Sequence, residues 1–452
     1  MTDHSSHSRP ARRLGLLEIL AVLVPLPTVA ALALVRPIDE PSTTHAPTDV
    51  PLTRATLICP RALPGAGTIA LANADGVAGD VTTRLPAEGT IALDGTSRQG
   101  LKVALVAQAE GELAAGFLGA RYGDAAAVAC AAPQPEQWFT GVGAAPEHSS
   151  TLELVNPDGG PAVADVIVLG PDGPVDVPAL RGVTVPGGRT LRFELADIVP
   201  TRDELALQVL VSRGRLGVDV VDQVDELGSG PSSRDWLPSQ GEAGTSAYLL
   251  GLGGKPGDRT LVVANPGDSE ARVELKVITK ESEFTPAEAD KIRVAPGSTE
   301  TVDLTDLLQS GAARGALGVR LDATVPVTAG LRTVAGGDLS HAVTGVLVEA
   351  RAALAMPRGP SRLVLSGADR VGVATYVVTD ADGEEIARER VELTPGAASR
   401  LKLPREGAVL DLVVARSGVV ATLEVGPPGL AVLPLSELVL GGRVPDVRPA
   451  LR

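Results

Sequence analysis

Beyond residue 57 the chain is written in short apolar runs that alternate with polar or small residues, and the runs recur in the same order. Ile69-Ala-Leu71-Ala-Asn73, Leu152-Glu-Leu154-Val-Asn156 and Leu261-Val-Val263-Ala-Asn265 share one plan. Leu363-Val-Leu365-Ser366 repeats it with Ser in the last place. Alternation with a period of two predicts strands that set one face on a core. The chain holds only three asparagines, and all three occupy this position. The side-chain oxygen of Asn or Ser can accept from nearby backbone N–H groups, and Asn also tolerates left-handed backbone. Asn73, Asn156, Asn265 and Ser366 are therefore expected to lock the turn that ends this strand.

The similarity extends well past these strands. The second and third copies align at the spacing from Asn156 to Asn265, including Val185-Pro-Gly-Gly opposite Val294-Ala-Pro-Gly. The fourth copy follows with Leu393-Thr-Pro395-Gly396 and Leu410-Asp-Leu412-Val-Val414, and the first is shorter and more divergent. Each copy carries about six or seven short alternating runs separated by Gly, Pro and Asp turns, which predicts an antiparallel, broadly immunoglobulin-like β-sandwich. A β-propeller is the alternative, because each copy is long enough for two four-stranded blades. The expected boundaries are 57–137, 138–247, 248–353 and 354–440, with a flexible tail over 441–452. Residues 224–247 and 335–345 read as longer connections. Thr285 and Glu288 have the spacing of a helix-capping box.

The N-terminus has a different pattern. Residues 1–13 are polar and carry Arg9, Arg12 and Arg13, and an apolar run from Leu14 to Val35 follows. A run of that length matches a bilayer core, and the preceding arginines place the N-terminus in the cytoplasm. The expectation is a single-pass anchor over 14–35 that leaves the bulk of the chain extracytoplasmic. The alternative is a cleaved signal peptide, with secretion. Residues 36–56, with Pro37, Pro41, Pro47 and Pro51, read as an extended stalk.

Export changes the reading of Cys59 and Cys130, the two cysteines, which bracket the first copy. In an oxidising compartment the default is a disulfide between them. The net charge of −15 and an aromatic content of 2% argue against a nucleic-acid partner, which calls for basic surface and stacking side chains.

Candidate chemistry is sparse. Gly251-Leu-Gly253-Gly-Lys-Pro-Gly257 has the look of a phosphate loop, but a strand follows where the dinucleotide fingerprint needs a helix. Asp219, Asp222, Asp225 and Glu226 could collect a hard cation, yet alternation sets Asp219 and Asp222 on opposite strand faces, so a solvated strand end is the simpler reading. His148 and His341 read as plain loop histidines, His341 being the one candidate for a catalytic relay. Trp138 and Trp236 read as aromatic plugs at module junctions. No catalytic, cofactor-binding or metal-binding residue is assigned.

The anchor followed by Leu-x-Leu-x-Asn-Pro, Val-x-x-Pro-Gly and Leu-x-Val repeats resembles an uncharacterised family of exported actinobacterial proteins. The Lys-poor, Ala/Val/Gly/Arg-rich composition is similar to that of high-GC bacteria. The resemblance implies location and architecture but no activity. The expected function is a non-enzymatic, membrane-anchored rod, scaffold or interaction protein of the cell envelope, with a protein or cell-wall glycan as partner. The alternative is a glycan-binding module or an accessory subunit of an envelope glycosyltransferase. A glycoside hydrolase ranks below both, and a concave groove with two facing carboxylates would favour it.

Overall fold

Alternation decides which side chains turn inward, and the pairing of the strands decides what they meet. The computed structural model describes residues 48–444, apart from 124–125, 203, 226–231, 288–290 and 428. The expected tail, anchor and most of the stalk, the second half of the capping box at Glu288, and residues 445–452 lie outside the described residues. The chain divides into two units. One is residues 1–50 with 443–452, and the other is Pro51–Gly442.

This unit is all-β, built of open sheets whose strands pair antiparallel. The sheets form four two-layered modules. In the second, one layer runs in the order Glu136–Val142, Leu205–Arg213, Ala162–Gly170, Gly173–Val175. The facing layer runs Thr190–Glu194, His148–Val155, Gly217–Val224, Ser233–Leu237. Inward positions of both layers, among them Phe139, Leu152, Leu154, Val166, Leu207 and Val218, share one buried core. The first and fourth modules repeat the two-layer plan.

The third module departs from it. Its strand Gly318–Val334 is 17 residues long and serves both layers. Residues 318–323 pair with Ala271–Ile278, and residues 328–334 pair with Asp258–Asn265, joining the two layers through one bent strand. Each module also has more strands than the six or seven expected. The segments read as long connections in fact hold the strands Ser233–Leu237 and Leu339–Val343, each hydrogen-bonded to the edge of its sheet. Two short helices, Leu195–Ile198 and Thr305–Gln309, were not expected.

The modules close into a ring of contacts. Ile58 and Val106 of the first pack on Val155 of the second, while Trp138 and Leu169 of the second pack on Ala264 of the third. Leu250 and Ile278 of the third meet Val364 and Val420 of the fourth. Ala70, Ala72, Leu118 and Ala120 then return the first module to the core of the fourth, beside Leu354 and Met356. A rod would leave the first and fourth modules apart. The reason they meet is visible in strand Thr68–Asn73: Ile69 and Leu71 face its own core, while Ala70 and Ala72 give a smooth outer face that a neighbouring sheet can approach closely.

Candidate functional site

The repeated asparagines act as corner pins. Asn156 Oδ1 accepts from the Asp158 N–H (2.9 Å), and its Nδ2 donates to the carbonyls of Gly160 (2.8 Å) and Val185 (2.9 Å). Asn265 does the same with Gly267, Ser269 and Val294, at 3.0, 2.8 and 3.1 Å. One side chain thus closes its own turn and ties it to the strand that precedes the Pro-Gly turn. Asn73 keeps the local turn through Asp75 (2.9 Å) but reaches instead to Leu113 and Ala115, at 3.1 and 2.8 Å. Ser366 differs: its Oγ makes a single long contact to Ala397 O, 3.4 Å. Its shorter side chain leaves the local turn unlocked. None of the three asparagines has a positive φ. They serve here as hydrogen-bonders and not as left-handed residues.

Cys59 and Cys130 form a disulfide. It sits in the core of the first module, with Cys59 fully buried.

The acidic run is not a solvated strand end, and the two histidines are not loop residues. Asp222 is fully buried where the second module meets the third. His148, at the start of its strand, brings Nε2 to 3.0 and 3.1 Å from the two carboxylate oxygens, and Ser150 Oγ donates to the same group at 2.5 Å. His341, buried in the strand Leu339–Val343, holds Nε2 3.3 Å from Asp222 Oδ2. Arg332 of the third module reaches across to Glu204 of the second at 2.6 Å and to His148 Nδ1 at 2.8 Å. Glu204 itself is held in left-handed backbone, φ 57°, a conformation that costs a side-chain-bearing residue about 1 kcal/mol or more.

Burial alone would raise the Asp222 carboxyl, but the His148 and His341 charges and the hydrogen bonds outweigh it and hold the carboxyl far below the ordinary range. Burial would likewise lower His148, and the Asp222 and Glu204 carboxylates push it up to about 9 against the opposing charge of Arg332. Asp222 and Glu204, matched by Arg332 and His148 and flanked by His341, make this a closed clasp across the junction. Trp138 and Trp236 are buried close by, at the second–third and first–second junctions.

The open feature lies on the other face of the same strand. Between the first and second modules is a cleft of about 750 Å³, within the roughly 300–1,000 Å³ usual for ligand sites. Glu153 and Asp219 stand directly opposite each other on adjacent strands and both line it. Glu153 is only 5% exposed, and its Oε1 is buried without a hydrogen-bond partner among the described residues. The Arg61 backbone N–H donates to Glu153, and Arg192 Nε lies 3.8 Å from its Oε2. Behind the pair, Arg121 is fully buried and donates to the carbonyls of Leu101 and Val103. Burial lowers its guanidinium to about 10 against the pull of Asp219 and Glu153. Burial raises the Glu153 carboxyl. Burial and the neighbouring Glu153 charge raise Asp219 to about 8. At neutral pH the pair therefore holds a proton.

Sequence reasoning considered Asp219 only as a metal ligand and passed over Glu153, Arg121, Glu204 and Arg332. Glu153 sits at an ordinary outward position, so nothing but the register with Asp219 marks it. Asp225 lies apart from the cleft lining, and Glu226 falls outside the described residues. Among the described residues no group of three or more His, Cys, Asp or Glu is placed to hold a metal ion. The Gly251–Gly257 stretch is a junction turn: a Cβ on Gly251, φ 99°, would come within 2.6 Å of Val432 in the fourth module.

A family of unknown function, DUF5719, matches residues 81–404. No curated protein matches the chain.

Proposed function

The chain belongs to this family of unknown function, and from that premise we propose an exported, non-catalytic interaction protein of an actinobacterial cell envelope, held to the membrane by residues 14–35. The ring is read as four tandem sandwiches of the broad immunoglobulin kind, which presents a cleft to a protein or glycan of the envelope. The observation that carries the reading is the buried Cys59–Cys130 disulfide, a cross-link favoured in oxidising compartments and disfavoured in the cytosol. The clasp and junction cores add rigidity, which suits a scaffold. Among the described residues no helix is long and apolar enough to cross a membrane, so the anchor is argued from the sequence of residues 14–35 alone.

The test is fractionation of the native host, protease shaving of intact spheroplasts, and the intact mass of the recovered chain. A membrane-bound chain that retains residues 1–36 and is cleaved from outside supports the proposal. A chain recovered in the cytosol with free thiols refutes it. A secreted chain lacking residues 1–36 refutes the anchor and keeps the export.

A second reading has one specific observation in its favour. Two adjacent carboxyl groups lining an open cleft are the residue types that a glycoside hydrolase uses. Release of reducing ends from purified cell wall, abolished by Glu153→Gln and by Asp219→Asn, would establish it. Wild-type protein that releases none removes it.

A further inference from the structure

We propose that the cleft between the first two modules binds an acidic saccharide, a sugar chain that bears carboxylates. This deepens the reading of an envelope interaction protein and names the ligand class of the same cleft. Among the described residues Glu153 Oε1 is a buried acceptor with no donor, and leaving a buried polar atom unsatisfied is costly. A ligand donor placed there recovers that cost. Asp219, in register beside it, offers the complementary carboxyl. An adjacent acceptor and protonated donor match vicinal hydroxyls, each of which both donates and accepts.

The rest of the wall fixes the sign of the ligand charge. Arg61, Lys102, Arg192 and Arg234 line the cleft against Glu153, Glu194 and Asp219. With one proton on the carboxyl pair, the wall has surplus positive charge on a chain of net charge −15. Such a patch draws anions against the field of the whole molecule. Among the described residues no aromatic side chain lines the cleft, so ring stacking, the usual support for neutral sugars, is missing there and charge has to supply affinity. Guanidinium groups suit this because they grip carboxylates bidentately.

The experiment is isothermal titration of the full chain at pH 6.5 and low salt with three probes: tetragalacturonate, maltotetraose and tetraglutamate. Tetragalacturonate is expected to bind at least tenfold more tightly than either of the others, and to weaken as salt is raised. Lys102→Ala with Arg234→Ala should lower that affinity tenfold or more, and Glu153→Gln several-fold, with melting temperatures that show the variants folded. Equal or tighter binding of maltotetraose overturns the acidic preference while leaving a glycan-binding envelope protein intact. Equal or tighter binding of tetraglutamate assigns the cleft to acidic peptide and overturns the saccharide. Binding that survives the substitutions overturns the placement in this cleft. Absence of heat with all three probes overturns the proposal, and the fractionation test of the envelope reading stands apart from that result.

Discussion

Asp222→Ala is the sharpest perturbation the structure offers. Its carboxylate is fully buried and takes His148 Nε2 at 3.0 Å and Ser150 Oγ at 2.5 Å, with His341 Nε2 at 3.3 Å. Alanine removes the charge and leaves the Nε2 atoms of two buried imidazoles without their carboxylate. Removing one member of a buried ion pair costs about 3–5 kcal/mol. Unfolding entropy near 2.1 cal/mol/K per residue gives roughly 0.8 kcal/mol/K for a body of this size, so the melting temperature should fall by about 4–6 °C if it melts as one unit. Scanning calorimetry across pH provides the stricter check. The Asp222 pKa is lowered by folding, so its stabilisation is present above about pH 4 and disappears as pH falls below that. The His148 pKa is raised to about 9, so its stabilisation is full below about pH 6.5 and disappears as pH rises through 9. The alkaline loss is softened, because a neutral His148 can accept at Nδ1 from Arg332, 2.8 Å away, while Nε2–H still donates to Asp222. Wild type and variant should therefore differ most between pH 4.5 and 6.5 and converge in acid. A variant as stable as wild type at pH 6, or a gap unchanged at pH 3, would refute the reasoning.

The other expectations concern the pins, the staple and one junction glycine. Asn265→Ala strands a buried N–H and carbonyls that now share one side chain. It should cost about 2–4 kcal/mol, against less than about 1 kcal/mol for Ser366→Ala, both read by denaturant unfolding. Paired Cys59→Ala and Cys130→Ala substitutions open a loop with a sequence separation of 71, and should destabilise by about 4 kcal/mol on the chain-entropy account. Reductant should then lower the melting temperature of wild type only. Gly251→Ala forces a left-handed residue to carry a Cβ 2.6 Å from Val432 Cγ1, which should cost about 1–3 kcal/mol in the same unfolding assay.

The strands and their corners were legible because they are local. Leu152-Glu-Leu154-Val-Asn156 states its alternation and its turn within five residues, and the structure keeps both. The disulfide was legible for a different reason: two cysteines leave one pairing. The clasp was not, because its members are far apart in sequence, with 74 positions from His148 to Asp222 and 184 from His148 to Arg332. Scarce histidines looked like loop residues until both met the same carboxylate. The cleft was hidden in a similar way. Alternation correctly set Asp219 and Asp222 on opposite faces, yet it could not say that one face meets a second module and the other meets Glu153.

The contrast between the junctions bears on how four similar modules find their order. The first–fourth seam is mainly alanine and leucine on smooth sheet faces, with one ion pair, Arg351 to Asp75 at 2.8 Å, at its partly exposed margin. Repeated modules of this kind are prone to misassembly and exchange. The second–third seam is the more selective of the two, because its charged groups are buried. A wrong partner there would bury Asp222 and Glu204 without Arg332 and His341, and an uncompensated buried charge costs several kcal/mol. A correct partner neutralises them. Since the second and third modules are neighbours in the chain, the clasp can fix their docking early, and the apolar first–fourth seam then closes a ring whose geometry is already set.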